Sequence, residues 1–288
     1  MTYSEEAIAR LQATKGFVFD LDGTLALGDA RHQGVDALPG AVEFLAHLDK
    51  VDLPFVVFTN GTLRPPVQLV GMLRAAGFTL PDDAVQTPAS AAADYFAGKG
   101  YRRIMALGGD GVTVPLADAG LELVPASGKR TADAVFVGWF RDFTMEHLEA
   151  ACHAVWEGAP LFTASTAPFF ATAHGRAIGT SRAICAVITS LTGKRPRVLG
   201  KPSLQALRCS ARYLGVGLKS LAVVGDDPGL EVAMAHRGGA LAVAVTSGLA
   251  SHADFHDLPA DRHPHIAVPG VAELLDLLRR ERVGLARG

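Results

Sequence analysis

The stretch GFVFDLDGTL, from Gly16 to Leu25, decides the fold of this chain. Its apolar residues include phenylalanine and valine, and such a run predicts a strand that is buried on both faces. Two carboxylates, Asp20 and Asp22, follow at the end of the run, where burial is costly unless a partner or a cation compensates the charge. Open α/β sheets bind their ligands at the carboxyl ends of the strands. The stretch therefore predicts a chemical site at this strand end, with a cation as part of it.

The bulk properties indicate a folded protein that does not bind nucleic acid. The chain has 288 residues, of which 49% are hydrophobic, and its formal net charge is −2. The hydrophobic fraction excludes a largely disordered chain, and the near-neutral net charge does not indicate a basic surface that would bind nucleic acid. The three cysteines are scattered without a CxxC pair, which is typical of free thiols in a reducing compartment. With an N-terminus unlike a signal peptide and no apolar run of about 18 residues, we expect a cytoplasmic protein without a membrane partner.

Apolar strand-like runs alternate with segments of helical spacing along most of the chain. This alternation predicts an α/β fold with a mainly parallel sheet. The opening pattern, an apolar run followed by carboxylates, returns in LAVVGDD from Leu221. We therefore predict a doubly wound core domain built from both ends of the chain, residues 1–85 and 194–288, with an inserted α/β domain at 86–193.

Three further strand ends in the predicted core carry polar groups of complementary kinds. Their residues are Thr59, Asn60 and Gly61 in TNG, Lys201 in GKP, and Asp226, Asp227 and Glu231 in GDDPGLE. Carboxylates suit a hard cation such as Mg²⁺, while hydroxyl, amide and ammonium groups suit the oxygens of a phosphoryl group. A carboxylate can also attack phosphorus and form an aspartyl phosphate. Side chains two apart on a strand share a face, so Asp20 and Asp22 can address one phosphoryl group.

The motifs DLDGT, FTNG, GKP and GDDPGLE, in this order, resemble the four motifs of the haloacid dehalogenase (HAD) superfamily of phosphohydrolases. The long insertion between the second and third motifs, together with TNG, resembles the NagD-like, 4-nitrophenylphosphatase-like subfamily (type IIA). The resemblance covers about residues 16–248. It implies a HAD-like Rossmannoid core and an α/β cap over the active site.

The resemblance also implies roles for the residues that carry the reaction. Asp20 would be the nucleophile, and Asp22 would be the general acid/base that first protonates the leaving oxygen and then activates water. Lys201 would neutralise charge between Asp20 and the phosphoryl group.

Substrate and metal ligands follow from the same resemblance. Thr59 and the amide of Asn60, with Gly61 beside them, would hold phosphoryl oxygens. Asp226 would bind Mg²⁺ directly, together with Asp20 and the backbone carbonyl of Asp22.

Two acidic residues of the fourth motif leave alternatives open. Asp227 is a metal ligand, an acceptor behind the ligands, or a capping residue of the loop. Glu231 stands where the subfamily usually has aspartate, so it binds the metal directly, acts through water, or has a structural role at a helix start.

The cap departs from the subfamily in one loop. Relatives commonly have a T-N-x-D type loop where this chain has TASTAP, Thr163 to Pro168. This loop faces the substrate in relatives, so the change affects the expected substrate and leaves the phosphoryl chemistry intact. His32, His174 and Arg176 are further candidates for the entrance of the site, with ordinary exposed loop residues as the alternative.

The function predicted from these residues is an Mg²⁺-dependent phosphatase that hydrolyses small phosphomonoesters through an aspartyl phosphate. A phosphomutase or another HAD-type hydrolase is the first alternative, and a non-catalytic protein that binds a phosphate ligand is the second. The resemblance also implies a small phosphorylated metabolite as substrate and a possible homodimer through the cap.

Overall fold

A computed structural model describes residues 2–28, 34–172, 175–248, 258–259 and 262–280. His32 and His174 lie outside these residues, and the side chain of Arg176 is not described. The chain divides into two compact units, Met1–Phe58 with Gly71–Ala84 and Ser210–Gly288, and Thr59–Val70 with Val85–Cys209. The boundaries predicted for the inserted cap, 86–193, stay a prediction.

Short strands and helices alternate along the described chain. The strands are β1 (Thr2–Tyr3), β2 (Gly16–Phe19), β3 (Ala26–Gly28), β4 (Val35–Ala37), β5 (Phe55–Phe58), β6 (Val85–Gln86), β7 (Arg103–Leu107), β8 (Glu122–Leu123), β9 (Ala134–Val137), β10 (Leu161–Thr163), β11 (Phe169–Thr172), β12 (Gly175–Ile178), β13 (Arg197–Val198), β14 (Leu221–Gly225), β15 (Leu241–Val245) and β16 (Ile266–Val268). The α-helices are α1 (Glu5–Gln12), α2 (Ala41–Lys50), α3 (Pro66–Ala75), α4 (Pro88–Lys99), α5 (Asp110–Asp118), α6 (Met145–Trp156), α7 (Thr180–Thr192), α8 (Leu204–Leu214), α9 (Ala233–Gly238) and α10 (Val271–Arg279). A 3₁₀ turn (Leu218–Ser220) and a π-helical turn (Pro228–Val232) complete the set.

The first unit is built on a sheet in which β1, β16, β15, β14, β2 and β5 lie in this order. All of these neighbours pair in parallel except β1, which is antiparallel to β16. In β2, β14 and β15 every residue is buried, as expected for strands covered on both faces. The predicted α/β fold class with a doubly wound parallel sheet is confirmed.

An aromatic cluster fixes the strand that carries the first motif. Phe17 and Phe19 lie on one face of β2 with their ring centroids 5.5 Å apart, and both pack edge-on against Phe44 of α2. All three side chains are fully buried. Because alternate residues share a face of the strand, this packing sets the register of the carboxylates that follow.

The second unit has its own five-stranded parallel sheet, in the order β13, β10, β9, β7 and β8. Successive side chains of its strands point to opposite faces of the sheet, and each face has its own hydrophobic cluster. Phe136 of β9 packs with Phe96 of α4 on one face, and Val135 packs with Leu148 of α6 and Ile184 of α7 on the other. Helices therefore cover both faces of this sheet. No helix among the described residues is long and apolar enough to cross a bilayer.

Candidate active site

Two neighbouring strands of the first unit deliver carboxylates to the same edge of their sheet. β2 is followed by Asp20, whose backbone N–H donates to the carbonyl of Val224 in β14 over 2.8 Å. β14 ends at Gly225 and is followed by Asp226. Because β2 and β14 are parallel, with Phe19 beside Val224, both aspartates emerge at the carboxyl ends of the strands.

A third carboxylate reaches this edge from the π-helical turn Pro228–Val232. Ligand oxygens of Asp20, Asp226 and Glu231 all lie within 4.8 Å of one another, and the residues are 7%, 4% and 1% exposed, respectively. Three buried charges of one sign repel one another, and burial penalises each of them further, unless a cation lies among them. An all-oxygen donor set is what Mg²⁺ requires. These residues, named the carboxylate cluster below, therefore fit a divalent cation.

Two glycines make room for the carboxylate cluster because they have no side chain. At Gly225 a β-carbon would lie 2.6 Å from Cβ and Cδ of Glu231, so any side chain there would displace the glutamate. At Gly23 the backbone has a φ of +82°, which favours glycine, and a β-carbon would lie 2.5 Å from Oδ2 of Asp226. Sequence reasoning missed both roles, although a glycine next to each carboxylate motif was a signal that could have found them.

The other two acidic residues of these motifs have different surroundings. The carboxylate of Asp227 accepts a hydrogen bond from the N–H of Gly229 over 2.7 Å and so caps the π-helical turn. The backbone N–H of Asp227 donates to Oε2 of Glu231 over 3.1 Å, which orients the glutamate. Asp22 lies in the turn after β2 with an exposed side chain, where it can exchange protons with water.

In the second unit, the residues of the TNG and GKP motifs contact one another. Oγ1 of Thr59 accepts a hydrogen bond from the N–H of Gly61 over 3.1 Å. The side chain of Asn60 binds the backbone of Lys201 with two hydrogen bonds, of 2.8 and 3.0 Å. Lys201 is only 3% exposed. A hydroxyl and an ammonium, both on fixed backbone, are groups that suit phosphoryl oxygens.

The TASTAP loop is held by its own hydroxyl groups. The Thr163 hydroxyl donates to the carbonyls of Val137 and Ser165, and Ser181 of α7 donates to the Ser165 carbonyl over 3.2 Å. Oγ of Ser165 accepts from the N–H of Ala167 over 3.1 Å. The hydroxyl groups of this loop thus stabilise its backbone. Nothing in the sequence indicated that Ser181 stabilises this loop.

Two family models match separate parts of the chain. A model described as haloacid dehalogenase-like hydrolase matches residues 17–122, and one described as HAD-hydrolase-like matches residues 198–274. Together they include all four strand ends described above. The chain belongs to the haloacid dehalogenase-like hydrolases. The HAD-family resemblance predicted from the motifs is confirmed.

Relatives of this HAD-like hydrolase refine the assignment. It is 28% identical to the ribonucleotide monophosphatase NagD of Escherichia coli K12, over 90% of this chain and 98% of the relative. It is also 28% identical to an acid sugar phosphatase of Staphylococcus epidermidis, over 83% and 89% of the two chains. The crystal structure of a 4-nitrophenylphosphatase from Thermotoga maritima superposes with a TM-score of 0.83 at 26% identity and covers 94% of this chain and 99% of that one. The chain is an enzyme of the NagD-like group of HAD phosphatases.

Proposed function

We propose that this phosphatase hydrolyses small phosphomonoesters in the presence of Mg²⁺, through an aspartyl phosphate on Asp20. The observation that carries the proposal is the carboxylate cluster at the ends of β2 and β14. Its three buried acids fit a divalent cation, and one of them, Asp20, belongs to the motif that bears the nucleophile in the resembling family. Asp20, Asp226 and Glu231 would hold the cation, with the backbone carbonyl of Asp22. When bound, Mg²⁺ would neutralise charge on the phosphoryl oxygens.

The two aspartates of the first motif divide the chemistry. An Oδ atom of Asp20 attacks phosphorus, forming a bond to it while the bond from phosphorus to the ester oxygen breaks. Asp22 gives its proton to that leaving oxygen and then takes a proton from water. The resulting hydroxide attacks phosphorus, the bond to Asp20 breaks, and inorganic phosphate leaves. The exposed position of Asp22 supports its role, since a group that alternates as acid and base exchanges protons with water.

Thr59, Asn60, Gly61 and Lys201 are proposed to bind the phosphoryl group. The N–H of Gly61 holds the oxygen of the Thr59 hydroxyl in place. The Thr59 hydroxyl would help to position the phosphoryl group, and the ammonium of Lys201 would neutralise its charge. Positioning and charge neutralisation dominate catalysis of phosphoryl transfer. The small phosphorylated metabolite as substrate, the cytoplasmic location and a homodimer through the cap remain proposals from the sequence.

The proposal is tested by release of inorganic phosphate from a panel of phosphomonoesters, including ribonucleotide monophosphates, sugar phosphates and 4-nitrophenyl phosphate. We expect turnover with Mg²⁺, none in EDTA, and none for Asp20→Asn. Borohydride reduction during turnover should convert Asp20 to homoserine, detected by mass spectrometry, because the reagent reduces an acyl phosphate. Asp133→Ala, which changes an acid outside these motifs, is the control that should retain turnover. Full turnover by Asp20→Asn would refute the nucleophile, and phosphoryl transfer between sugar hydroxyls without net phosphate release would indicate a mutase instead.

A further inference from the structure

The side chain of Asn60 joins two motifs that are 141 residues apart in the sequence. The backbone N–H of Lys201 donates to Oδ1 of Asn60 over 2.8 Å, and Nδ2 of Asn60 donates to the Lys201 carbonyl over 3.0 Å. One amide side chain thus satisfies both backbone polar groups of a single residue. An amide is the neutral group that offers a donor and an acceptor in this paired form.

The close approach of the two motifs depends on Gly200. A β-carbon at this position would clash first with the carbonyl oxygen of Ala164, and it would lie 2.6 Å from Oδ1 of Asn60 and 2.7 Å from Cγ of Pro88. Side chains other than hydrogen would therefore separate Asn60 from the backbone of Lys201. The residue that precedes the lysine is a glycine because the Ala164 carbonyl, the Asn60 amide and the Pro88 ring together occupy the space of a side chain.

The lysine segment is also held from its other side. The N–H of Leu199 donates to the Thr163 carbonyl over 3.0 Å, and the N–H of Gly200 donates to the Ala164 carbonyl over 3.2 Å. These bonds extend the pairing of β13 with β10 to the start of the TASTAP loop. They stop at Gly200, so the hydrogen bonds to Asn60 take over where the strand pairing ends.

We propose that Asn60 is a positioning residue that acts through Lys201, in addition to any contact of its backbone with the phosphoryl group. The inference rests on the proposed function, since Lys201 has its charge-neutralising role there. A lysine side chain has a flexible stem of four carbons, so an accurate position of its ammonium requires a fixed backbone. Misplacement of a catalytic group by about 1 Å can cost about 10²-fold in rate. Asn60 supplies the fixed point for the ammonium of Lys201.

The first test compares Asn60→Ala and Asn60→Asp with the wild type. Alanine removes both hydrogen bonds, whereas aspartate keeps an acceptor for the lysine N–H but sets a carboxylate oxygen against the Lys201 carbonyl. We expect kcat to fall about 10²-fold in both, with a weaker affinity for inorganic phosphate measured by calorimetry. Asp133→Ala is the matched control, because Asp133 accepts hydrogen bonds from two backbone N–H groups of the same unit, those of Arg102 and Arg103. It should change the unfolding temperature without changing kcat or phosphate affinity.

A double-mutant cycle with Lys201→Ala separates positioning from a merely structural role. If Asn60 acts through Lys201, then Asn60→Ala lowers kcat in the wild type but adds little, at most about twofold, in the Lys201→Ala background. Multiplied losses in the double variant, or kcat of Asn60→Ala and Asn60→Asp within twofold of the wild type, would overturn the inference. Neither of these outcomes touches the proposed function. That function fails instead if the wild type releases no phosphate or if Lys201→Ala is fully active.

Discussion

Glu231→Gln is the substitution that examines the carboxylate cluster most directly. Glutamine has the same shape and retains an acceptor for the N–H of Asp227, which the glutamate binds over 3.1 Å. The substitution therefore removes a charge with little change in packing. At an effective dielectric constant of about 20, two unit charges 4.8 Å apart repel by about 3.5 kcal/mol. The cluster of Asp20, Asp226 and Glu231 lies within that distance, so two of its three repulsions disappear.

Two opposite effects on stability follow from this change. In EDTA, Glu231→Gln should be more stable than the wild type, by about 1–3 kcal/mol, because the cost of burying the amide offsets part of the relieved repulsion. That gain corresponds to an increase of about 3–10 °C in the unfolding temperature. With saturating Mg²⁺ the difference in unfolding temperature between the variant and the wild type should become smaller or change sign, because the wild type gains more stability from binding the cation.

The assay is thermal unfolding in EDTA and across a titration of Mg²⁺. Glu43→Gln is the control, because it makes the same chemical change at an exposed position in the first turn of α2, where the charge is mildly favourable. It should lower the unfolding temperature slightly and leave the Mg²⁺ response intact. If Glu231→Gln in EDTA unfolds at or below the wild-type temperature, with an unchanged Mg²⁺ response, the reasoning from charge repulsion in the cluster is wrong.

Three further outcomes are expected. Gly225→Ala should weaken the binding of Mn²⁺, measured by electron paramagnetic resonance, at least about tenfold. Gly217→Ala is the control and should not weaken it, because a β-carbon there meets open space. Equal affinities for Mn²⁺ in the two variants would contradict the argument that Glu231 needs the space at Gly225. Burial and the charges of Arg10 and His236 lower the pKa of His265 below 6.5, so its neutral form favours the fold. Its contribution is therefore present above pH 6.5 and lost as pH falls through the lowered pKa, and urea unfolding of His265→Asn should show a shallower loss between pH 7.5 and 5.5 than the wild type. All three cysteines are buried, and burial raises the pKa of Cys185 to about 12, so the native protein should react with a thiol reagent at pH 8 far more slowly than the unfolded protein; rapid modification would argue against these buried positions.

The strands that carry the carboxylates were predictable because their physical signal is local. The run Gly16–Phe19 is wholly apolar, and so is Leu221–Gly225, which marks each as a strand buried on both faces. Parallel neighbours end at the same edge, so Asp20 and Asp226 could be placed together before their distance was known.

Features that depend on tertiary contacts were not predictable from the sequence. Nothing in PGLEV marks a π-helical turn, so the sequence does not show that Glu231 lies next to Asp20 and Asp226. The hydrogen bonds between Asn60 and Lys201 join positions with no common periodicity. The hairpins β3–β4 and β11–β12 have strands of three or four residues, too short for a period-two pattern to identify them.

The pairing of Asn60 with Lys201 also bears on how such a chain can diversify. The two residues mark the start and the end of a long excursion of the polypeptide, and their hydrogen bonds hold those two points side by side. Extra sequence between two adjacent anchor points costs little closure entropy, since each doubling of a loop adds only about 0.6 kcal/mol. Evolution or engineering can therefore lengthen, shorten or exchange the intervening segment while the lysine backbone keeps its anchor. The asparagine thus keeps the two ends of this excursion together whatever the length of the segment between them.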